Sequence, residues 1–177
     1  MLETSNGRVT ILNEPTYSFR SVDNLRRYDA EVLLVDAERS SVHGVRANRW
    51  SAVFAASGGC TTVHEHSAVE LNGRLYLAVG NQVVCLDLGT GHMEWSVRVD
   101  RATCFGVYWD VPHEALVSHG ELQISRLSLE GEEIWAATGE DILTEGFRCL
   151  QNGIEAIDFN WRAYLFDYAT GRLLPAG

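Results

Sequence analysis

The chain has 177 residues, of which 46% are hydrophobic and 21% are charged, a composition typical of a folded globular protein and unlike that of a disordered one. Its net charge of −10 argues against binding to nucleic acid or to an anionic membrane surface, because phosphate groups are bound by clustered cations. Residues 1–50 hold seven arginines and seven acidic residues, so the seven arginines and seventeen acidic residues of 51–177 carry the whole excess, which could attract a basic partner.

Several features favour a cytoplasmic location. The N-terminus has no charged segment followed by an apolar one, as a secretory signal would have. The longest aliphatic run, residues 32–35, is too short to cross a bilayer. The four cysteines include no C-x-x-C pair and are predicted to be reduced, mostly buried thiols: Cys60, Cys85, Cys104 and Cys149.

Residues 1–60 show the least regular pattern. Three runs are rich in β-branched or aliphatic residues and are predicted strands: 9–12, 31–35 and 49–56. Residues 21–27 could form a short helix with Ser21 as its N-cap. A longer helix over 21–37 is an alternative to the strand at 31–35, because apolar residues in this stretch also recur at helical spacing.

From residue 61 onward the sequence repeats with a period of about 40 residues. Three series keep that spacing: Gly91, Gly131 and Gly171; Gly80, Gly120 and Asn160; and Trp95 and Trp135. Each unit contains runs typical of strands, separated by turn residues such as Asn72-Gly73 and Thr170-Gly171. The predicted strands are 66–71, 74–79, 82–88 and 92–98; 105–111, 114–119, 123–129 and 132–137; and 146–151, 154–159, 163–168 and 172–174.

Four short antiparallel strands per fixed period indicate the blade of a β-propeller or a related meander. We therefore predict a mainly β fold of blade-like, four-stranded repeats, as in an incomplete or small β-propeller. The whole chain is interpreted as one domain, with a divergent segment at 1–60 that could contain one short helix and three repeats at 61–177.

The sequence of 85–95, Cys-Leu-Asp-Leu-Gly-Thr-Gly-His-Met-Glu-Trp, resembles the repeat of the quinoprotein-type (PQQ-like) β-propeller family. In that family a strand ending in Ala-Leu-Asp or similar is followed by a Thr-Gly turn and by a strand that carries Trp. Residues 127–135 and 165–174 repeat the pattern loosely, and Pro175 stands where the third unit would place its Trp. The resemblance covers about residues 61–177.

The resemblance implies that Trp95 and Trp135 pack between adjacent blades. Propellers close with four to eight blades, whereas three units are visible in this sequence. Residues 1–60 could supply a divergent fourth sheet, two chains could join, or the strands could form an open, curved β structure. A quinone cofactor is not expected, because the family members that bind quinone are far longer and have a metal site that this sequence lacks.

His64, His66 and Glu70 are the candidate metal ligands. Residues at i and i+2 of a strand project from the same face, and Glu70 shares that face with the two histidines. Two His and one carboxylate can hold a divalent metal ion with open positions. The run also resembles the first half of the cupin motif, although the expected glycine after Glu70 is displaced and the second cupin motif is absent. The alternative is a partly exposed strand whose imidazoles form local hydrogen bonds.

Acidic residues cluster around one predicted blade turn and the connection that follows that blade: Glu130, Glu132, Glu133, Glu140, Asp141 and Glu145. These carboxylates could form a solvated rim, or they could dock a basic protein with Trp109 or Trp161 as an apolar anchor. We favour a non-catalytic interaction or scaffold protein that binds a protein partner through this acidic face or an open sheet edge and could act like an inhibitor or immunity protein. The alternative is a small metal-dependent enzyme or sensor that uses His64, His66 and Glu70. A homodimer is expected, because unclosed repeats leave strand edges that a second copy can cover.

Overall fold

The computed structural model describes residues 2–4, 7–35 and 38–175. These residues form sixteen β-strands in four sheets and no helix, which confirms the predicted mainly β fold. The sheets pack against one another in chain order, as in part of a β-propeller, and we number them blades 1 to 4. Over the same residues, no helix is long and apolar enough to span a membrane.

Blade 1 is the divergent sheet at the N-terminus. It contains β1 (Leu2–Thr4), β2 (Gly7–Asn13), β3 (Ala30–Leu33), β4 (Ser41–Arg46) and β5 (Ser51–Ala56) in the order β1-β2-β4-β5-β3. Its strands are antiparallel except for β3, which pairs in parallel with β5 at the outer edge. The first 60 residues therefore supply a fourth sheet, which was one of the three arrangements left open by the sequence.

Blades 2 to 4 are antiparallel meanders in which neighbours in sequence are neighbours in the sheet. Blade 2 contains β6 (Ala68–Leu71), β7 (Arg74–Val79), β8 (Gln82–Asp87) and β9 (Met93–Arg98). Blade 3 contains β10 (Cys104–Asp110), β11 (Ala115–Gly120), β12 (Ile124–Leu127) and β13 (Glu133–Ala137). Blade 4 contains β14 (Gly146–Leu150), β15 (Gly153–Ile157) and β16 (Ala163–Phe166), and a single bridge from Phe166 to Leu173 stands in for its fourth strand.

The helix predicted over 21–27 is wrong, and so is the longer helix over 21–37. The side chain of Asn24 binds the backbone of Ser18 through both its oxygen and its nitrogen, which holds the segment in turns. Leu25 is 92% exposed, so a helix here would have no apolar face to bury. The strand alternative is confirmed by β3.

Successive blades are joined by a tryptophan from one blade and a glycine turn of the next. The indole nitrogens of Trp50, Trp95 and Trp135 donate hydrogen bonds to the carbonyl oxygens of Leu88, Leu129 and Tyr168, at 2.9, 3.1 and 2.9 Å. The rings lie against Gly91, Gly131 and Gly171, whose φ angles are +76°, +89° and +67°. A Cβ atom at any of these glycines would lie 2.5–2.6 Å from an indole carbon. The packing role that the resemblance implies for Trp95 and Trp135 is thus observed, and Trp50 is an additional copy.

The other predicted glycine series is not equivalent in space. Gly80 occupies a two-residue turn with φ of +58°, whereas Gly120 is the last residue of β11. Asn160 lies inside a five-residue turn between β15 and β16. The turns at this end of the blades differ in length, so a constant spacing of 40 does not map them onto one another.

Each joint encloses an apolar core, because residues alternate between the two faces of every strand. Phe54 and Leu77 belong to the core between blades 1 and 2, Tyr76 and Val107 to the next, and Ile124 and Phe166 to the third. A fourth cluster lies on the other face of blade 1, where segment 14–29 covers β4 and β5: Tyr17, Phe19 and Tyr28 pack on Val42, Val53 and Ala55. Among the described residues, no apolar cluster joins blade 4 to blade 1.

Candidate interaction surface

The structure does not place His64 and His66 on a strand. Strand β6 begins at Ala68, and the two histidines precede it in a turn that Ser67 stabilises. The Ser67 hydroxyl accepts a hydrogen bond from the amide of His64 at 2.9 Å, and the Ser67 amide donates to the His64 carbonyl at 3.1 Å. The same-face geometry expected for a strand is therefore absent.

Both ring nitrogens of His64 are already in use. The Nε2 atom lies 2.7 Å from the carbonyl oxygen of Phe105, so it carries a hydrogen and donates. The Nδ1 atom accepts a hydrogen bond from the His66 amide at 3.2 Å. Glu70, on β6, accepts a hydrogen bond from the Gly73 amide at 3.2 Å. Within the part of the chain that the structure describes, no group of three His, Cys, Asp or Glu residues is placed to hold a metal ion.

The thiols of Cys85, Cys104 and Cys149 are not activated as nucleophiles. Burial raises the pKa of Cys104 and of Cys85 to about 12, so both side chains stay protonated at neutral pH. Burial also raises the pKa of Cys149 to about 11. The exposed Cys60 lies in the loop before β6. The four cysteines form no disulfide.

The predicted acidic face is divided between the two ends of the blades. Glu130 and Glu132 lie in the turn between β12 and β13, whereas Glu140 and Asp141 follow β13 in the connection to blade 4. Because β13 runs from one end of the sheet to the other, these two pairs lie at opposite ends of blade 3. Glu133 starts β13, and its carboxylate accepts a hydrogen bond from the Ser125 hydroxyl at 3.1 Å.

The five-residue turn between β15 and β16 lies at the same end as Glu140 and Asp141. Its first residue is Asp158, whose side chain is buried and accepts hydrogen bonds from the backbone amides of Asn160 and Arg162, both at 2.9 Å. The other carboxylate oxygen accepts a hydrogen bond from the Tyr164 hydroxyl at 2.7 Å. That hydroxyl accepts in turn from the Glu140 amide at 3.0 Å, which ties the turn to the connection between the blades.

This hydrogen bonding fixes the ionisation of the turn. Burial alone would raise the pKa of Asp158, but hydrogen bonds from the Tyr164 hydroxyl and from the two amides lower it. Burial, together with the hydrogen bond to Asp158, raises the pKa of Tyr164. The carboxylate is therefore ionised at neutral pH and the phenol is not, so the turn keeps its hydrogen bonds.

Trp161 projects from the tip of this turn. Its φ angle is +64°, in the left-handed region that residues other than glycine rarely adopt, and the residue is 73% exposed. The residue on each side binds a carboxylate: the Asn160 amide group donates to Asp141 at 2.7 Å, and Arg162 forms an ion pair with Glu140. Phe159, 59% exposed, lies in the same turn. We call Glu140, Asp141, Phe159 and Trp161 the acidic–aromatic surface.

Trp109, the other predicted anchor, lies elsewhere. It is on β10, at the inner edge of blade 3, and is partly buried against the core between blades 2 and 3. It lines a groove of about 580 Å³ formed by the inner strands of blades 2 to 4. The rings of His66, Tyr108 and Phe147 follow one another along this groove, with centroids 4.4 Å apart in both steps.

The predicted residues thus divide into three places: His66 and Trp109 in the inner groove, Glu130 and Glu132 at one end of blade 3, and Trp161 at the other. Phe159 and Asp158 were not among the residues predicted from the sequence. The run Asp158-Phe159-Asn160-Trp161 does show two aromatic residues in a stretch typical of a turn, and that was the available signal.

No family model and no curated protein matches the sequence. Solved structures of similar fold include two computationally designed proteins and one natural protein. The computationally designed Ika4 protein is 12% identical, with a TM-score of 0.51 over 66% of this chain and 77% of its own. The computationally designed Ika8 protein is 14% identical, with a TM-score of 0.52 over 76% of this chain and 45% of its own.

BamB from Moraxella catarrhalis, a PQQ-like β-propeller, is 14% identical, with a TM-score of 0.58 over 80% of this chain and 49% of its own. The chain therefore spans about half the length of Ika8 and of BamB. At these identities the likeness shows the fold alone. That fold is a partial β-propeller of four blades.

Proposed function

We propose that the protein is a non-catalytic binding protein whose acidic–aromatic surface docks a basic segment of another protein. The observation that carries this proposal is Trp161, which is 73% exposed on a left-handed backbone. Holding a residue other than glycine in this conformation costs about 1–3 kcal/mol. In the unbound protein the exposed part of the indole contributes no hydrophobic free energy to offset that cost. A partner that covers the ring would recover that apolar area.

The neighbouring charges define the chemistry of the partner. Glu140 and Asp141 bind the residues on either side of Trp161, and Arg162 is the cation next to it in the turn. Glu121 and Glu145 lie in the adjoining loops. Lys and Arg side chains would be attracted to the carboxylates and can stack on the face of Trp161. An apolar residue beside these cations could pack on Phe159. An inhibitor-like or immunity-like role towards a basic protein suits such a surface.

A labelled synthetic peptide that alternates lysine and leucine tests the proposal by fluorescence anisotropy. We expect Trp161→Ala to weaken binding about tenfold, as for an aromatic residue at the centre of an interface. Ile134→Ala is the matched control, because Ile134 is also an exposed apolar residue, 52% exposed, but lies on β13. Its binding should equal that of the wild type.

The acidic contribution is tested with two double variants. Glu140→Gln with Asp141→Asn should weaken binding at low salt and have less effect at high salt, because screening reduces the attraction in both proteins. Glu130→Gln with Glu132→Gln removes the same charge at the opposite end of blade 3 and should bind as the wild type does. Equal losses in both double variants, or no binding of the basic peptide, would contradict the proposal.

A further inference from the structure

The outer face of blade 4 has no cover among the described residues. We call it the terminal face. Its hollow of about 460 Å³ is lined by Leu150, Asn152, Glu155, Arg162, Ala163, Tyr164, Leu165, Leu173 and Leu174. We propose that the terminal face pairs with the same face of a second copy of this chain, related by a two-fold axis.

In the rest of the chain, the faces equivalent to the terminal face are all covered. The equivalent faces of blades 1, 2 and 3 are each buried against the following blade. On blade 4, Leu150 and Leu165 are half-buried and Leu173 is 58% exposed. Covering these leucines removes apolar area from water, which is the main driving force for association.

A further blade of the same type does not fit this face. Each joint in the chain uses an indole of one blade to fill the glycine turn of the next. In blades 2 and 3 that indole, Trp95 or Trp135, lies on the outer strand. At the corresponding position blade 4 has Pro175, which offers neither an indole ring nor a backbone donor.

A head-to-tail arrangement with a second copy is also blocked. The exposed side of blade 1 that it would need is already covered by Tyr17, Phe19 and Tyr28. Tyr28 is packed so closely on β4 that any side chain at Gly44 would collide with its ring. The pairing of two identical terminal faces remains, and such a contact is self-complementary by symmetry.

The charges on the terminal face permit this pairing. Arg162 lines the hollow and forms an ion pair with Glu140 at the end of the blade. Arg148 and Glu155 lie opposite each other on β14 and β15, joined by a hydrogen bond of 2.7 Å between Nε and Oε2. The chain as a whole has a charge of −10, so most of its surface would repel a second copy. Across a two-fold axis, Arg148 of each copy can face Glu155 of the other.

Sedimentation equilibrium of the full chain tests the pairing. We expect the wild type at twice the monomer mass and Leu173→Glu as a monomer, with the dissociation constant raised at least about tenfold by a carboxylate in the apolar contact. Leu25→Glu is the matched control, because Leu25 is 92% exposed on segment 14–29. Circular dichroism spectra establish that all variants remain folded.

A charge-reversal pair identifies the face without relying on an apolar change. Arg148→Glu makes both members of this cross-strand pair acidic and Glu155→Arg makes both basic. Each variant alone should therefore be monomeric, and the equimolar mixture should form heterodimers. A wild-type monomer at the highest concentration, a mixture that stays monomeric, or loss of the dimer in Leu25→Glu would overturn the proposal. The acidic–aromatic surface lies at the ends of the strands, so its peptide affinity is a separate readout.

Discussion

At the scale of single residues, the joint between blades depends on a glycine that no other residue can replace. Gly91 combines a φ angle of +76° with direct contact to the Trp50 ring. The two requirements are independent, since one concerns the backbone and the other the space beside it. A side chain at this position would therefore be penalised twice.

Gly91→Ala should lower the free energy of unfolding by about 2–5 kcal/mol, the sum of left-handed backbone strain and overpacking against Trp50. Urea denaturation followed by tryptophan fluorescence measures the change. Gly89→Ala is the control in the same turn, because a Cβ there would have its closest contact at 3.4 Å, with the Asp87 carboxylate. A loss in Gly89→Ala as large as in Gly91→Ala would contradict this account of the joint.

A buried histidine makes the molecule sensitive to acid. Burial lowers the pKa of His119 from 6.5 to about 4, and its Nε2 donates to the Leu143 carbonyl at 2.8 Å. Above the unfolded pKa both states are neutral, so stability does not depend on this group. As the pH falls from 6.5 towards 4, the unfolded chain binds a proton that the folded chain refuses, and stability is lost.

Between about pH 7 and about pH 5, His119 should cost the wild type about 2 kcal/mol of folding free energy. His119→Gln keeps a donor for Leu143 but cannot titrate, so its urea midpoint should fall less over the same range. His43, whose pKa is also lowered by burial, is present in both proteins and cancels in the comparison. Equal acid sensitivity of the two proteins would show that His119 is not the group responsible.

At the scale of elements, the turn between β15 and β16 shows how a local change in length creates a surface feature. The equivalent turn of blade 2 has two residues, one of which is Gly80. The turn between β15 and β16 has five residues, and hydrogen bonds to Asp158 hold it together. The extra residues carry Phe159 and Trp161 out into solvent. The structure of the turn therefore depends on one carboxylate.

Asp158→Ala should open this turn and leave the blades folded. Three hydrogen bonds end on the Asp158 carboxylate, so its removal should speed trypsin cleavage after Arg162 about tenfold or more. Limited proteolysis with mass spectrometry of the fragments measures this rate. Asp87→Ala, which removes the carboxylate of a turn in blade 2, should leave cleavage at Arg162 unchanged.

The strands after residue 61 could be predicted because apolar runs alternate with turn residues, and their ends are shifted by no more than two residues up to β16. Trp50 could have been recognised as a copy of Trp95, but it lies 45 positions away and its turn has no glycine, which hides the repeat. The turn at His64 depends on the Ser67 hydroxyl, and no periodicity reveals such a bond.

The division of the acidic residues could not be predicted from their closeness in sequence. Glu132 and Glu140 are separated by only the five residues of β13 and two more, yet a strand carries the chain across the whole sheet. Which end each turn occupies follows from the number of strands between them. Strand boundaries therefore decide which side chains share a surface.

At the scale of the whole molecule, stability should fall towards the last blade. Blade 2 is packed between two neighbours, and residues such as Tyr76 and Leu77 on its two faces are fully buried. Blade 4 has three strands with one additional bridge, and one of its faces is packed against blade 3. In a stack of repeats, each unit is stabilised mainly by its neighbours.

Hydrogen exchange at low protein concentration should show this gradient. We expect amides of β15 to exchange at least about tenfold faster than amides of β7, because local opening of blade 4 breaks one joint and opening of blade 2 breaks two. Mass spectrometry of peptic fragments resolves the two strands. Equal protection in β7 and β15 would indicate that the four blades open as a single unit.

The segment that covers blade 1 has a consequence for behaviour in concentrated solution. A stack of sheets that exposes an apolar face at both ends can add molecules head to tail without limit and grow into fibres. Here Tyr17, Phe19 and Tyr28 cover the apolar face of the first sheet that points away from blade 2, so a second molecule cannot pack on it. In the pairing that we propose, the terminal faces of two copies cover each other, and association stops at the dimer.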